Sequence, residues 1–478
     1  MVKNDSKVAP NLVKSLQESF LAKRRRHMYL KRKIDKWLAE WKTREKKSPA
    51  LITGIRQCGK TRSIEYFGES NYSNIIKINF WDNPEYCSDF DGRLDVNTLI
   101  SNLSLRFPEI PIQPRETLIF FGEIQECPRA RLAFKNFELD GRYDVIGSGS
   151  YLGINGYVIG DSTPAPTGYE DVFQMKTMDF EEFLWAEGFT DETINELYDH
   201  FHNRSEVPEP MHSIFKEHYL HYLCVGGFPR AVSAYISSHN IMDAVRITQN
   251  TVFDMKSDFG RRKGKDGQPV FKPSEVSRIQ STFDLIPMFL AKENKRFVVS
   301  KITGGSSKEK TDAVEYLRQA HIVNKVHNVE TPSLPLAGNR ISSQFKLFPE
   351  DIGIVTAMYG IDTVAAINKG QLGQGKGAIY EALVFDSLHK AGIDVYYFAK
   401  ESGLEIDFVI CYDGNACLVE AKAKNGNTKS SKTVMKHPDH YGPVKLIKIG
   451  DYNIGESSAI LTLPNYAVFL LGIRLERF

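Results

Sequence analysis

At 478 residues, the chain is too long for one ordinary domain, and its length predicts about three. Hydrophobic residues make up 42% and charged residues 25% of the sequence, the usual balance of a globular protein with a sizeable core. The formal net charge of +2 excludes a protein that binds polyanions through bulk charge. Any nucleic-acid surface must therefore be local.

The six cysteines are scattered and show no C-x-x-C spacing. This pattern argues against a zinc site or a disulfide framework and is typical of a reducing compartment. The first residues lack the apolar stretch of a signal peptide, and no apolar run is long enough to span a bilayer. We therefore expect a cytoplasmic protein that makes no membrane contact.

The strongest motif is segment 54–61, which reads GIRQCGKT and fits the phosphate-loop (Walker A) pattern G-x-x-x-x-G-K-[ST]. An apolar run precedes it and a helix-compatible segment follows, which is the required strand–loop–helix context. Gly54 and Gly59 let the backbone curl so that successive N–H groups point at one anion. Lys60 can reach the outer phosphates, and the Thr61 hydroxyl can ligate Mg²⁺.

The motif predicts ATP or ADP with Mg²⁺ as the cofactors, and a chance match in a Gly-rich turn is the alternative. The residues expected to hold the nucleotide are Gly54, Ile55, Arg56, Gln57, Cys58, Gly59, Lys60, Thr61 and Arg62.

Before the loop, residues 23–27 read KRRRH. This basic run fits a nucleic-acid contact, although a solvated helix face or tail is the commoner explanation. Apolar side chains then recur at helical spacing and predict an amphipathic helix that packs on the loop's domain. They are Leu30, Ile34, Trp37, Leu38 and Trp41.

Three further apolar runs, at 75–80, 117–121 and 143–146, alternate with helical patterns. This alternation predicts a parallel sheet with helices on both faces. Ligands of such sheets bind beyond the carboxyl ends of the strands. The phosphate loop and the residues that follow the other strands are expected to meet there.

With these motifs in place, the chain resembles the AAA+-type ATPases of bacteria and archaea that carry a C-terminal domain of unknown function with a nuclease-like fold. The matching text is GIRQCGKT, TLIFFGEIQECPRA, VIGSGSYLG, MDFEEFLWA and GGFPRAV. The resemblance runs from about residue 28 to the C-terminus. It implies an α/β fold class: a P-loop NTPase parallel sheet with a helical lid, a winged helix and a PD-(D/E)XK-like α/β domain.

The resemblance and the composition together predict five segments. They are a basic N-terminal segment at 1–28, an ATPase core at 29–185, a helical lid at 186–264, a winged helix at 265–331 and a nuclease-like domain at 340–478.

In the family that the chain resembles, the strand in TLIFFGEIQ usually ends in Asp-Glu. The Asp holds Mg²⁺ through its water shell, and the Glu orients the attacking water. Here Gly122 stands where the Asp is expected, and Glu123 is retained as the expected catalytic residue. Glycine offers the metal shell no oxygen, so we expect nucleotide binding to survive and hydrolysis to be weak.

Other site residues are implied only by the resemblance. Ser150, or less favourably Ser148, resembles the polar sensor of the γ-phosphate, and the alternative is a simple turn serine. Arg230 in the GGFPR turn resembles a sensor arginine of the lid, and the alternative is a surface arginine. Segment 179–184 resembles a lid or linker signature without a chemical role.

Residues 273–326 read as helix, helix and strand hairpin, the order of a winged helix. Three cations lie on or just before the second helix, the element that such folds place in the DNA major groove. DNA contact and a solvated face of a protein-interaction wing are equally compatible with this pattern. The cations are Lys308, Lys310 and Arg318.

Three predicted strands near the C-terminus, at 395–398, 404–410 and 417–422, carry Asp407, Glu420 and Lys422. These residues match the D…E-x-K pattern of PD-(D/E)XK nucleases. Glu420 and Lys422 lie two apart on a strand and so point to one face, and Glu381 on a predicted helix supplies a third carboxylate.

Carboxylates at such a site can hold a Mg²⁺ that activates water, while the lysine stabilises the developing charge. Glu381, Asp407 and Glu420 are thus predicted metal ligands, with Glu420 and Lys422 catalytic. A charged hairpin without catalysis is the alternative.

The leading hypothesis is an ATP-binding AAA+-type protein that couples nucleotide state to a winged helix and a nuclease-like domain acting on nucleic acid. Gly122 motivates the alternative, a non-hydrolysing scaffold or switch that binds a protein partner. A third hypothesis is a metal-dependent nuclease that ATP only regulates. ATP turnover separates the first two, metal-dependent cleavage of DNA identifies the third, and the oligomeric state stays open.

Overall fold

The computed structural model describes residues 29–150, 168–260, 271–292, 295–369, 376–422 and 429–472. The basic run at 23–27 and the rest of the predicted segment 1–28 lie outside these ranges. Within them, two sheets are joined by a helical region. None of the described helices is long and apolar enough to cross a membrane.

The first sheet is parallel throughout, as the alternating pattern predicts, and it has five strands, one more than the four predicted runs. The strands are β1 (Ala50–Thr53), β2 (Asn74–Asn79), β3 (Thr117–Gly122), β4 (Asp144–Gly149) and β5 (Asp171–Gln174). Their order is β2-β3-β4-β1-β5, so β1 is flanked on both sides. Every residue of β1, β3 and β4 is buried, which is why these strands read as continuous apolar runs.

Helices cover this sheet. They are Lys33–Thr43, Lys60–Asn71, Val96–Arg106, Pro128–Leu132 and Phe134–Asp140, with 3₁₀ turns at Pro84–Phe90 and Ile124–Glu126. The first of them is the predicted amphipathic helix, and it buries Ile34, Leu38 and Trp41. Its apolar stripe faces the core because these residues recur at helical spacing.

A helical region follows the first sheet. Its helices are Phe180–Ala186, Asp191–Asn203, Glu209–Val225, Pro229–Ser238, Ile241–Asp258, Pro273–Asp284, Ile286–Leu290 and Ser307–Gln319, with a 3₁₀ turn at Val299–Lys301. Capping boxes begin two of them, since Asp179 and Ser306 accept from the backbone N–H of Glu182 and Glu309. Such caps satisfy N–H groups that the first turn of a helix leaves unpaired.

The second sheet is mixed and has eight strands. They are β6 (Val323–Val329), β7 (Arg340–Pro349), β8 (Tyr396–Ala399), β9 (Glu405–Tyr412), β10 (Asn415–Ala421), β11 (Lys445–Gly450), β12 (Gly455–Ser457) and β13 (Ile460–Pro464). Their order is β12-β13-β11-β10-β9-β8-β6-β7. Its helices are Ile352–Tyr359, Ile361–Asn368, Lys376–Lys390, Lys429–Lys436 and Pro438–Tyr441, with 3₁₀ turns at Leu336–Asn339 and Asn465–Leu471.

The boundary expected between residues 331 and 340 needs correction. β6 lies in the predicted winged helix, but it forms a hairpin with β7, which begins the predicted C-terminal domain, and it pairs in parallel with β8 through His327 and Tyr396. The hairpin is therefore an edge of the second sheet, and the expected boundary lies inside it. A separate winged-helix domain would require the hairpin to have no partner strand in that sheet.

One buried cluster runs from Ile34 near the start of the described chain to Leu471 near its end. The ring of Phe180 shows the continuity, because its centroid lies 4.9 Å from that of Tyr219 and 5.9 Å from that of Phe469. The first sheet, the helical region and the second sheet thus share a hydrophobic core.

Candidate functional site

The loop after β1 has the backbone shape that its glycines predict. Gly54, Gln57 and Gly59 have φ angles of 151°, 64° and 102°. A Cβ atom on Gly54 would collide with the carbonyl oxygen of Met175, so the position requires glycine. Gly59 then begins the helix Lys60–Asn71. The chain therefore curls and presents a helix N-terminus, the arrangement that binds phosphate.

The side chain of Lys60 is 7% exposed and lies against this loop. Its Nζ donates to the carbonyl oxygens of Gly54 and Ile55, each at 2.9 Å. Thr61 and Arg62 lie exposed in the next positions. The lysine is thus held against the loop, and Thr61 is accessible to solvent.

A buried arginine that the sequence did not single out supports the loop from behind. Arg32 is 5% exposed, and its guanidinium donates to the carbonyl oxygens of Cys58, at 2.7 Å, and Lys176, at 2.8 Å. Its Nε lies 3.0 Å from the Glu182 carboxylate. Burial lowers the pKa of Arg32, but the charge of Glu182 outweighs burial and raises it overall. No sequence signal separates Arg32 from its exposed neighbours.

Glu182 belongs to the segment MDFEEFLWA, whose carboxylates Asp179, Glu181 and Glu182 are all buried. Lys33 pairs with Asp179 and, at 2.8 Å, with Glu181. Buried carboxylates require such cations. The segment therefore fastens the N-terminal helix to the helical region.

Gly122 ends β3 opposite Asn79 of β2. A Cβ atom at Gly122 would lie 3.4 Å from the carbonyl oxygen of Ile78 and 3.7 Å from the Cα of Asn79, which are ordinary contacts. Glu123 follows with φ 49° and ψ 46°, and its carboxylate accepts from Gln125 Nε2 at 2.6 Å. The position of the expected Asp therefore has room for a side chain but supplies no oxygen.

A cavity of about 130 Å³ lies beside the phosphate loop at the carboxyl ends of the strands. Ser150 lines it, whereas Ser148 is buried within β4. The helix Ile241–Asp258 covers the loop, because Arg56 pairs with Asp258. The cavity is lined by Ile55, Arg56, Trp81, Gln125, Glu126, Ser150, Met255, Asp258, Phe259, Tyr316, Ala320 and Ile322.

The GGFPR turn also touches the loop. A Cβ atom on Gly59 would lie 3.3 Å from Pro229 Cγ, and Arg230 is exposed one residue later. The preceding Gly227 N–H donates to the Asp351 carboxylate at 3.0 Å. The turn therefore connects the phosphate loop with the second half of the chain.

Asp351 lies at the centre of a fully buried network. It accepts from Thr177 Oγ1 at 2.6 Å and pairs with Lys390 at 2.8 Å, which pairs with Asp386 at 2.9 Å. Burial raises the pKa of Asp386 to about 6, although the charge of Lys390 opposes this shift. Asp351 and Asp386 therefore share one cation, Lys390, inside the core.

Three predicted residues of the C-terminal domain meet. Lys422 Nζ lies 3.2 Å from Asp407 Oδ2 and 3.0 Å from Glu420 Oε2, and Ser431 donates to Glu420. Burial and the charge of Asp407 raise the pKa of Glu420. Burial lowers the pKa of Lys422, but the two carboxylates outweigh it and raise that pKa.

Glu381 does not join them. It pairs with Lys295 and, at 3.1 Å, with the fully buried Lys346, which also lies 3.3 Å from Glu405. In the described ranges, no three His, Cys, Asp or Glu side chains are grouped as a metal ion would need. The expected three-carboxylate metal cluster is therefore wrong, because lysines already neutralise Glu381.

The three cations of the predicted recognition helix differ in their surroundings. Lys308 is exposed, Lys310 donates to the carbonyl oxygen of Ser300 at 3.2 Å, and Arg318 pairs with Glu315 at 2.7 Å. Lys308 thus offers its charge to solvent, and Arg318 shares the Glu315 carboxylate with Lys325.

Three segments match family models. Residues 46–184 match the model of an AAA domain. This matched segment carries the phosphate loop. Residues 216–365 and 376–466 match two domains of unknown function, DUF8612 and DUF4143, so the nuclease-like fold stays a prediction.

No curated protein matches the chain. Among solved structures, the Aeropyrum pernix ORC1 protein in complex with DNA is 12% identical, over 71% of this chain and 95% of that chain, with a TM-score of 0.23. The A. pernix ORC2 protein, with ADPNP and ADP, is 12% identical over 78% and 96%, with a TM-score of 0.29. DnaA from Aquifex aeolicus, bound to AMPPCP, is 11% identical over 60% and 86%, with a TM-score of 0.25.

Proposed function

We propose that the AAA domain binds ATP or ADP with Mg²⁺ at loop 54–61 and hydrolyses ATP slowly. The observation that carries this proposal is the shape of the loop, in which Gly54, Gln57 and Gly59 turn the backbone ahead of a helix N-terminus. Backbone N–H groups and the helix dipole favour an anion at that place, and Lys60 adds a full positive charge beside it.

The residues present fit a Mg²⁺ ion that arrives with the nucleotide. Mg²⁺ keeps several waters and takes phosphate oxygens with one or two protein oxygens, and the accessible Thr61 hydroxyl is one such oxygen. The ion would neutralise charge on the outer phosphates. Glu123, whose carboxylate accepts a hydrogen bond from Gln125, would orient a water, whereas Gly122 would contribute nothing to the metal shell.

The covering helix would have to move for a nucleotide to bind. The cavity of about 130 Å³ is smaller than the roughly 300–1,000 Å³ of ordinary ligand sites. The ion pair between Arg56 and Asp258 fastens the helix Ile241–Asp258 to the loop. We therefore infer that this helix acts as a lid.

A contiguous path of contacts could transmit the nucleotide state to the C-terminal half. Pro229 touches the loop at Gly59, Gly227 donates to Asp351, and Asp351 pairs with Lys390 at the end of the helix that carries Glu381. Coupling requires that these contacts differ between nucleotide states. In Asp351→Asn, the nucleotide state should no longer affect the C-terminal half. This result, with nucleotide affinity retained, would support the path.

The nucleotide site is tested by titrating a fluorescent ADP analogue against wild type and Lys60→Ala. Loss of the ammonium should weaken binding at least about tenfold, since a charge-assisted hydrogen bond contributes about 1.5–3 kcal/mol. Lys77→Ala is the matched control, because Lys77 lies on β2 and pairs at the surface with Glu65. Equal affinities of Lys60→Ala and wild type would overturn the assignment.

A measurement of phosphate release from bound ATP then distinguishes a slow ATPase from the non-hydrolysing scaffold or switch. We expect slow but measurable release that Glu123→Gln abolishes while ADP still binds. Release at the same rate in Glu123→Gln would remove Glu123 from the mechanism. No release from wild type, with nucleotide bound, would favour the scaffold.

A nuclease is the second candidate, favoured by the contact of Lys422 with Asp407 and Glu420. These residues do not fit a metal ion as they stand, because Lys422 pairs with both Asp407 and Glu420 and lysines hold Glu381. The test incubates the full chain with linear and single-stranded DNA and Mg²⁺ or Mn²⁺. Cleavage that persists unchanged in Lys422→Ala would show that this site is not its source.

A further inference from the structure

Two cysteines lie side by side next to the loop that carries Glu123. Cys87 Sγ lies 3.7 Å from the carbonyl oxygen of Glu126, the residue before Cys127. Cys87 also packs against the buried cluster that contains Cys127. Both cysteines are free thiols. Backbone contact and shared packing therefore bring the two cysteines together.

The two sulfur atoms differ in their access to solvent. Cys87 is half-buried, whereas Cys127 is 3% exposed. The neighbouring Cys127 side chain lowers the pKa of Cys87, although burial and the carboxylates of Asp91, Glu126 and Asp89 oppose this shift. The Cys87 side chain and burial raise the pKa of Cys127. The negative charge therefore favours the sulfur that solvent can reach, which is the one that reacts first.

We propose that Cys87 and Cys127 are a peroxide-sensitive thiol pair. The Cys87 thiolate attacks one oxygen of hydrogen peroxide, the O–O bond breaks, and hydroxide leaves, so that Cys87 becomes a sulfenic acid. The sulfur of Cys127 then attacks the Cys87 sulfur and loses its proton, while the sulfenic oxygen leaves as water. Two thiols are oxidised to one disulfide, and one peroxide is reduced to two waters.

The reaction is reversible by a dithiol, which attacks the disulfide through a mixed-disulfide intermediate. Transient disulfides of this type are the kind that a reducing compartment allows. Cys127 lies four residues after Glu123, so the bond would tie the far end of the Glu123 loop to the 3₁₀ turn Pro84–Phe90. An effect on ATP turnover rests on the proposed function, but formation of the disulfide does not.

The experiment treats the reduced full chain with hydrogen peroxide and counts thiols after denaturation. Wild type should lose two of its six thiols, dithiothreitol should restore them, and peptide mass spectrometry should show a Cys87–Cys127 link. Cys87→Ser should keep its five thiols, Cys127 included, because the attacking thiolate is missing. Cys411→Ser is the matched control, because Cys411 is exposed, and it should react as wild type does.

Retention of all six thiols in wild type, or a link between other cysteines, would overturn the proposal. Equal thiol loss in Cys87→Ser would do the same. Nucleotide affinity measured on reduced protein stands apart from these results, so failure of the thiol pair and failure of the nucleotide site are distinguishable.

Discussion

Gly122→Asp restores a carboxylate at the end of β3, one residue before Glu123. The added Cβ would meet Ile78 and Asn79 at 3.4–3.8 Å, so the backbone needs no rearrangement. The carboxylate enters a buried position without a cation, and a cost of roughly 1–3 kcal/mol in unfolding free energy is expected when no nucleotide is added. Mg²⁺ with nucleotide should recover part of that cost.

The catalytic gain can be estimated from outer-shell metal partners, whose loss costs about 10–100-fold in activity. Gly122→Asp should therefore raise phosphate release about 10–100-fold, which corresponds to about 1.4–2.7 kcal/mol of transition-state stabilisation. The assay measures phosphate release at saturating Mg·ATP and nucleotide affinity separately. Gly122→Ala fills the same space without an oxygen and serves as the control.

Gly122→Asp that turns over no faster than Gly122→Ala, with nucleotide bound by both, would refute the reasoning. Another group would then complete the metal shell. Asp82 is the next candidate, because it accepts a hydrogen bond from Asn79, the residue opposite Gly122.

Three further predictions concern the supporting contacts. Arg32→Ala leaves Glu182 without its guanidinium partner and should lower the unfolding free energy measured in urea by about 3–5 kcal/mol. Lys31→Ala is the control, because it breaks an exposed pair with Asp191 and should lower the unfolding free energy by about 0–1 kcal/mol. Equal losses in the two variants would contradict the role of burial. Asp258→Ala frees the lid and should raise the nucleotide association rate in stopped flow several-fold, whereas an unchanged rate would show that the pair with Arg56 does not gate binding. The pKa of Asp386 is raised from its ordinary 3.8 to about 6, so the folded state binds this proton more tightly than the unfolded state does. The stability that Asp386 contributes therefore falls as pH rises from about 4 to 6. Asp386→Asn should flatten this fall in unfolding free energy measured in urea, and an equally steep fall in both proteins would contradict the prediction.

The sequence predicts much of the AAA domain because its information is local. β1 to β4 are continuous buried runs, and the phosphate loop is a short motif with its context on both sides. β5 was missed because it has only four residues, Asp171–Gln174, whose burial alternates at the edge of the sheet. A short edge strand carries no stronger signal than a loop.

Contacts between distant segments could not be predicted from the sequence. Arg32 reaches Cys58 and Glu182, and Lys346 reaches Glu381, across separations that no periodicity encodes. Asp407, Glu420 and Lys422 could be placed together because strand alternation and one hairpin suffice. The partner of Glu381 is Lys346 on β7, and only the tertiary packing brings these two residues together.

The buried network around Asp351 has a consequence for fragments of the chain. A fragment that ends before residue 351 would leave the Gly227 N–H and the Thr177 hydroxyl without their shared acceptor, next to the turn that touches the phosphate loop. A fragment that begins after residue 376 would bury Lys390 without one of its two carboxylates. Neither piece is expected to fold alone, so heating the whole protein should give one cooperative calorimetric transition in place of separate transitions for each matched segment.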